Sequence, residues 1–285
     1  MSRRLTVACV QVSPNEDRAA NTAAALEAIR NAARNGAELV ALPEYVAQLH
    51  SSRHVMREGA GPESTDEALA AFRSVAAECG CWLLIGSLTV REVGKDKIVN
   101  RSYLIAADGS IVATYDKLHM FDAVLPNGRQ IREGDSYEAG SRAVLAETPW
   151  CTIGMTICYD VRFPYLYRAL AQHGAQIIMV PSAFTEATGE LHWHALLRAR
   201  AIENGCFIVA PATTGKHPSS HSTFGHSLIV DPFGTILLDG GSEPGVFQAE
   251  IDLEQVDVAR DRMPSLTHDR QFEIDVVSNT SRMAI

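Results

Sequence analysis

The sequence predicts an α/β protein made of two similar halves, and three observations carry that reading. Helix-patterned and strand-patterned segments alternate along the whole chain with no linker between them. The unit Gly36-Ala37-Glu38-Leu39-Val40-Ala41-Leu42-Pro43 returns as Gly174-Ala175-Gln176-Ile177-Ile178-Met179-Val180-Pro181, each time after a helical pattern. Chemically distinctive residues, Glu44, Lys117 and Cys158, follow apolar strand-like runs at their ends. The repeat points to two similar sheets packed face to face with helices outside, although periodicity alone leaves a doubly wound sheet open.

The elements follow in order. Leu5-Thr6-Val7-Ala8-Cys9-Val10 reads as a first strand, and an Ala-rich helix with Leu26 and Ile29 on one face runs from about Asp17 to Asn35 and stops at Gly36. A second helix, near Asp66 to Glu78, precedes the strand Trp82-Leu83-Leu84-Ile85-Gly86. Asp108-Gly109 signals a hairpin between Ser102-Tyr103-Leu104-Ile105 and Ile111-Val112-Ala113. From Leu118 to Gly140 the chain is polar with several glycines and reads as one long loop, a length that usually has a function in a compact domain.

Composition bounds the function. The 285 residues are 46% hydrophobic and 21% charged, enough to bury a large core in a single domain spanning 1–285. The net charge is -9, from 34 acidic and 25 basic residues, and no basic cluster exceeds Ser2-Arg3-Arg4, so nucleic acid is not the expected partner and a small molecule is. No signal-type apolar region precedes the first strand and no apolar run approaches the ~20 residues of a membrane span, so a cytoplasmic location without a membrane partner is expected. Six scattered cysteines read as reduced thiols. Cys9, Cys151 and Cys206 lie in or beside apolar runs and read as packing residues, and Cys79-Gly80-Cys81 reads as a helix-to-strand turn because its spacing is one short of the usual metal or redox pair.

Cys158 differs from the other five. The run Thr152-Ile153-Gly154-Met155-Thr156-Ile157 delivers it into the charged, proline-ended turn Tyr159-Asp160-Val161-Arg162-Phe163-Pro164, so the thiol is fixed from behind and reachable from the front. Glu44 follows Leu39-Val40-Ala41-Leu42-Pro43, and Lys117 sits where the chain leaves a sheet in Tyr115-Asp116-Lys117-Leu118-His119. Thiol-based hydrolysis requires a base for the S–H, a cation for the developing oxyanion and the sulfur itself, and the three residues supply that set.

These segments resemble the motifs of the nitrilase-type carbon-nitrogen hydrolases, a superfamily defined by a Glu-Lys-Cys triad. The likeness extends through Pro181-Ser182-Ala183-Phe184, His192-Trp193, Arg198-Ala199-Arg200-Ala201-Ile202-Glu203-Asn204 and Gly225-His226-Ser227-Leu228-Ile229-Val230-Asp231-Pro232-Phe233-Gly234, and covers nearly the whole chain. It implies a four-layer α-β-β-α sandwich. It also implies Glu44 as general base, Cys158 as nucleophile, and Lys117 with the Tyr159 backbone N–H as oxyanion donors, cleaving an amide through a thioester to the acid and ammonia with no cofactor.

The resemblance further implies a second glutamate between Lys and Cys, for which Glu133 is the candidate and Asp135 and Glu138 compete. Phe184 and Trp193 are expected as pocket walls, His119 as a residue orienting nearby groups, and Arg162 in an ion pair or interface. A metal at His192-Trp193-His194 is not expected, because i and i+2 side chains diverge on a helix whose expected apolar face is Ala195, Ala199 and Ile202. Many relatives have Glu after Arg-Phe-Pro where this chain has Tyr165, which puts in doubt any ion pair or dimer contact made there. The segment 213–222 is an expected specificity rim.

The motifs look most like the branch of omega-amidases and deaminated-glutathione amidases, which implies a small carboxylate-bearing amide, with Lys216 and Arg132 as candidates to hold its carboxylate. An N-carbamoyl amino-acid or aliphatic amide hydrolase is the enzymatic alternative, and a non-catalytic scaffold the alternative of another class. A homodimer through the helix near Pro164, with a tail from about 262 to 285 packing on the partner, is also implied.

Overall fold

The computed structural model describes residues 3–49, 53–124, 128, 130–217 and 222–277. The first half contributes β1 (Arg4–Gln11), α1 (Arg18–Arg34), β2 (Leu39–Ala41), α2 (Arg53–Gly59), α3 (Glu67–Cys79), β3 (Trp82–Val90), β4 (Val99–Ile105) and β5 (Ile111–Asp116). A small ribbon, β6 (Asp122–Val124) and β7 (Gln130–Arg132), follows. The second half adds β8 (Val144–Glu147), β9 (Thr152–Met155), α4 (Pro164–Gln172), β10 (Ile177–Met179), α5 (Glu186–Asn204), β11 (Phe207–Ala210), β12 (Thr214–Lys216), β13 (Ser222–Phe224), β14 (Leu228–Val230) and β15 (Ile236–Asp239). The chain then crosses back as β16 (Gly245–Asp252) and α6 (Glu254–Arg262).

Local sequence explains the helix limits. Asp17 and Asp66 accept the amides of Ala20 and Leu69, both at 3.0 Å, and so cap α1 and α3. Gly80 ends α3 in the left-handed region, at φ 63°. The Asp108-Gly109 turn joins β4 to β5 as expected, with Gly109 at φ 81°.

The two main sheets run β16-β1-β2-β3-β4-β5 and, read from the opposite edge, β8-β9-β10-β11-β14-β15. In each, the third strand is parallel to both neighbours and the outer pairings are antiparallel. The repeated Gly-Ala-strand-Pro unit therefore occupies the same place, β2 and β10, in both sheets. Period-2 alternation sorts the side chains: Leu5, Val7 and Cys9 of β1 join the inner layer with Ile153, Met155, Ile177 and Met179 of the second sheet, while Ala8 and Val10 pack on α1 and α3. Helices α4 and α5 cover the far face of the second sheet through Leu166, Leu170, Leu197 and Ala201, which gives the four-layer α-β-β-α order.

Three details depart from the pattern reading. The segment after Leu118 carries the β6–β7 ribbon and a turn of 3-10 helix at Glu133–Asp135 in place of an unstructured loop, with residues 125–127 and 129 outside the described part. The buried side of α5 is Trp193, Leu197, Arg200, Ala201 and Asn204, whereas Ile202 is 53% exposed. Of the segment 213–222, residues 214–216 form β12, which pairs along its whole length with β13, and residues 218–221 lie outside the described residues.

The end of β2 is held by a close backbone approach. Leu42 N donates to Leu84 O, the β3–β4 register shifts between Ile85 and Leu88, and Ser87 Oγ accepts Tyr45 N at 3.0 Å. A Cβ at Gly86 would lie 2.1 Å from Leu42 O and 2.4 Å from Pro43 C, so only glycine lets the segment carrying Glu44 sit against β3. Gly86→Ala is expected to lower stability by about 3 kcal/mol, at the upper end of ordinary overpacking, and to reduce activity by shifting Glu44. An unchanged urea midpoint would show that the backbones part without strain.

Candidate active site

Glu44, Lys117, Glu133 and Cys158 converge from both halves of the fold. Glu44 follows β2 and Lys117 follows β5, while Glu133 follows the ribbon strand β7 and Cys158 follows β9. Lys117 Nζ lies 2.9 Å from Glu44 Oε1 and 3.0 Å from each oxygen of Glu133. All three charged residues are buried, at 1–2% exposure, which is tolerable only because each is paired and further hydrogen-bonded. Glu44 accepts Asn100 Nδ2 at 2.8 Å on one oxygen and Ala183 N at 2.8 Å on the other. Glu133 accepts the Tyr45 hydroxyl at 2.9 Å and Phe121 N at 2.6 Å.

The electrostatics follow from that packing. Burial opposes charge on Lys117, but Glu133 and Glu44 outweigh it and hold the amine pKa well above its ordinary value. Burial likewise pushes the Glu133 carboxyl up, and Lys117 with its hydrogen-bond donors brings it below the ordinary range. The Cys158 thiol is pushed well up, first by burial and then by the Glu44 charge and hydrogen bond, with Lys117 acting in the opposite sense.

The turn that carries Cys158 is strained and braced. Cys158 sits at φ 49° at the start of a 3-10 turn and donates its N–H to Pro181 O at 2.9 Å. For a non-glycine residue that conformation costs about 1–2 kcal/mol. Asp160 is the brace: its buried carboxylate accepts Ile157 N at 2.8 Å, the Tyr115 hydroxyl at 2.6 Å and His119 N at 3.1 Å. The His119 ring adds a 2.6 Å contact from Nδ1 to Asp160, stacks on Phe163 at 3.5 Å, and meets the Tyr165 hydroxyl at 2.5 Å through Nε2. Tyr165, the residue that departs from the expected Glu, thus closes a hydrogen bond within the subunit.

A narrow cleft opens onto Cys158, lined by Phe121, Tyr159, Arg162, Phe184 and Thr185 among others. The Arg162 guanidinium lies 5.2 Å from the Phe184 ring centre and 5.9 Å from that of Tyr159, and among the described residues no carboxylate pairs with it. Trp193 stands behind the cleft, 5.1 Å from Phe184, with its indole N–H donated to His226 O at 2.8 Å. His119 also lies outside the lining, and Arg132 and Lys216 are exposed and are not among the residues facing the cleft.

Sequence reasoning missed Asn100, Asp160 and Phe121. Asn100 stands beside Arg101 and Ser102 in β4, so its amide was not conspicuous in the sequence. It also gave Arg162 an ion-pair or interface role, whereas the structure puts that side chain on the cleft wall.

Known proteins resemble this chain in sequence and in fold. The sequence model for the carbon-nitrogen hydrolase family matches residues 6–261. The chain is 39% identical over 264 residues to the deaminated glutathione amidase of Synechocystis sp., covering 92% of this chain and 96% of that one. Among solved structures it superposes on the C. elegans NitFhit protein with a TM-score of 0.88 at 36% identity, covering 94% of this chain but 65% of that one. A Saccharomyces cerevisiae member of branch 10 of the nitrilase superfamily gives a TM-score of 0.85 at 30% identity, covering 94% of this chain and 97% of that one.

The buried cluster makes a stability prediction. Glu133 has a lowered folded pKa, so its contribution is full above the unfolded carboxylate value of about 4.3 and is lost as pH falls through the folded value. Glu133→Gln should lose about 3–5 kcal/mol at neutral pH, the usual effect of breaking a buried pair, and should show a flatter acid limb in urea melts taken below pH ~5. Equal acid limbs in the two proteins would remove Glu133 from the linkage.

Proposed function

The chain belongs to the carbon-nitrogen hydrolase family and is an amidase, and on that premise we propose that it hydrolyses a primary amide on a small carboxylate-bearing metabolite, of the omega-amidase or deaminated-glutathione type. The observation that carries the substrate class is the cleft wall, which presents the Cys158 thiol together with an arginine, Arg162, that no carboxylate of the described residues neutralises. An anionic substrate would complete that charge, and Arg162 takes the place first given to Arg132 and Lys216. The identity of the Synechocystis relative as a deaminated glutathione amidase supports the same class.

In this reading Cys158 Sγ attacks the amide carbon while its proton passes to Glu44. Lys117 and the Tyr159 N–H stabilise the oxyanion, a role in which one donor is worth ~10²–10³ in rate. Glu44 then gives the proton to the departing ammonia, and the same carboxylate activates the water that opens the thioester. Glu133 keeps Lys117 charged and in place. Phe184, backed by Trp193, forms one wall with Tyr159, and His119 acts through Asp160 to hold the nucleophile turn.

The reading includes a cytoplasmic homodimer. Among the described residues no helix is long and apolar enough to cross a membrane. The tail exposes Met263, Phe272, Ile274, Val276 and Val277, a surface suited to a partner subunit, and residues 278–285 lie outside the described part.

The test is ammonia release from a panel of omega-amides of 2-oxo acids, deaminated glutathione, N-carbamoyl amino acids and neutral aliphatic amides. Cys158→Ala is expected to be inactive on all of them, and activity surviving there would refute the thiol mechanism. Arg162→Met should raise KM about tenfold or more for carboxylate-bearing amides, the scale of a lost charged hydrogen bond, and leave neutral amides unchanged. Equal losses on both kinds would refute the carboxylate assignment.

A further inference from the structure

Away from the cleft, on the outer side of the second sheet, three metal-ligating side chains from three elements converge. His194 of α5, His226 in the segment before β14, and Asp239 at the end of β15 bring one ligand atom each within 4.8 Å of one another. His194 Nε2 lies 3.0 Å from Asp239 Oδ2, and His226 Nδ1 lies 2.8 Å from Asp239 Oδ1. None of the three takes part in the proposed cycle. His192 does not join them. Its Nδ1 lies near the Arg162 guanidinium, at 3.4 Å.

The cluster is built and held rather than merely exposed. Among the described residues only Tyr45, Cys158 and His226 are non-glycine residues in the left-handed region, the last at φ 54°. Two of these adjoin or belong to the catalytic cluster, and backbone strain of this kind persists where the surroundings over-determine it. At His226 the surroundings are evident. Its N–H donates to Gly241 O at 2.7 Å, its carbonyl accepts the Trp193 indole at 2.8 Å, and its ring stacks on Phe224 at 4.4 Å. Asp239 Oδ1 also accepts Gly241 N at 2.9 Å, which fixes the carboxylate between the two imidazoles. All three side chains are about one-third exposed, so a fourth direction opens to solvent.

We propose that His194, His226 and Asp239 form a surface site for a borderline divalent transition metal, of which zinc is the type. Tetrahedral zinc with bonds of about 2.0–2.2 Å holds its ligand atoms about 3.4 Å apart, and the two His–Asp separations, 3.0 and 2.8 Å to the two carboxylate oxygens, are somewhat shorter than that. The ligand atoms of the two histidines lie within 4.8 Å of each other and would draw together on the metal. Two imidazoles and one carboxylate suit zinc or cobalt better than magnesium or calcium, which prefer all-oxygen sets. A water would fill the fourth position. On binding, each imidazole gives the metal the lone pair of the nitrogen that had faced Asp239 and keeps one proton on its other ring nitrogen, so a neutral ring shifts tautomer and an imidazolium releases one proton to solvent.

The experiment is calorimetric titration of chelator-treated protein with zinc, paired with the visible spectrum of the cobalt form, in wild type, Cys158→Ala, His194→Gln and Asp239→Asn. One equivalent is expected in wild type and in Cys158→Ala, with a nitrogen- and oxygen-ligated cobalt spectrum free of a sulfur charge-transfer band. His194→Gln and Asp239→Asn should each weaken binding by more than about tenfold, the lower range for loss of even an outer-shell partner, while keeping the metal-free melting temperature close to wild type. Zinc should raise the melting temperature of wild type and not of those two variants. No binding in wild type, binding lost in Cys158→Ala, a sulfur band, or affinity equal in all four proteins would each refute the site and leave a hydrogen-bonded His–Asp–His group.

Discussion

The structure turns on one buried ammonium shared by two carboxylates. A lone lysine at 2% exposure would be neutral or would disrupt the core, because removing an ion from water costs several kcal/mol even after relaxation. Lys117 stays charged because Glu44 and Glu133 both reach it at 2.9–3.0 Å. The carboxylates are stable there only because Asn100, the Ala183 and Phe121 amides and the Tyr45 hydroxyl fill their remaining acceptor positions. Every element near the site is therefore constrained: β4 must present Asn100, the segment between β10 and α5 must turn the Ala183 amide inward, and the ribbon must return Glu133 to the sheet.

The paired sheets meet that constraint by placing equivalent strand ends opposite each other. Pro43 and Pro181 end the matching strands β2 and β10. The residue after the first is Glu44, and two residues after the second is Ala183, whose amide Glu44 accepts. The cleft thus lies across the junction of the two halves, where a carboxylate from one sheet meets a thiol from the other. Tyr45 and Cys158, both in the left-handed region, are the points at which the chain leaves its strands to make that meeting possible. Parallel strands deliver side chains to one end of a sheet, so the same architecture that buries the core also gathers the chemistry.

What was legible in the sequence is what local pattern determines. Glu44, Lys117 and Cys158 could be singled out because polar residues at the ends of apolar strands are conspicuous, and Asp66, Gly80 and Asp108-Gly109 because caps and turns have short-range chemistry. The α5 face was misread because Arg200 and Asn204 are buried polar residues whose satisfaction is local to the fold: Arg200 Nε donates to Val161 O at 2.9 Å and Asn204 Nδ2 to Arg200 O at 2.8 Å. The segment after Leu118 was read as a loop because its order comes from distant partners, such as Lys117 and Tyr45 on Glu133. The cleft-wall place of Arg162 was equally hidden, since it depends on the rings of Phe184 and Tyr159.

Charge conservation explains why the proposed cycle needs the second glutamate. With Glu44 and Glu133 ionised and Lys117 protonated, the buried cluster already carries a net negative charge. Ionising Cys158 into bulk water would add another, and its thiol is pushed well up, first by burial and then by the Glu44 charge. Passing the proton to Glu44 instead moves the negative charge from carboxylate to sulfur and leaves the total unchanged. Attack then moves it again, onto the substrate oxygen beside Lys117. While the charge rests on sulfur Glu44 is neutral, and without Glu133 the ammonium would have no carboxylate counter-charge until the oxyanion formed. Glu133 therefore lets Lys117 remain a cation at each step while the mobile charge travels from Glu44 to sulfur to oxygen, which is the condition for electrostatic stabilisation without reorganisation.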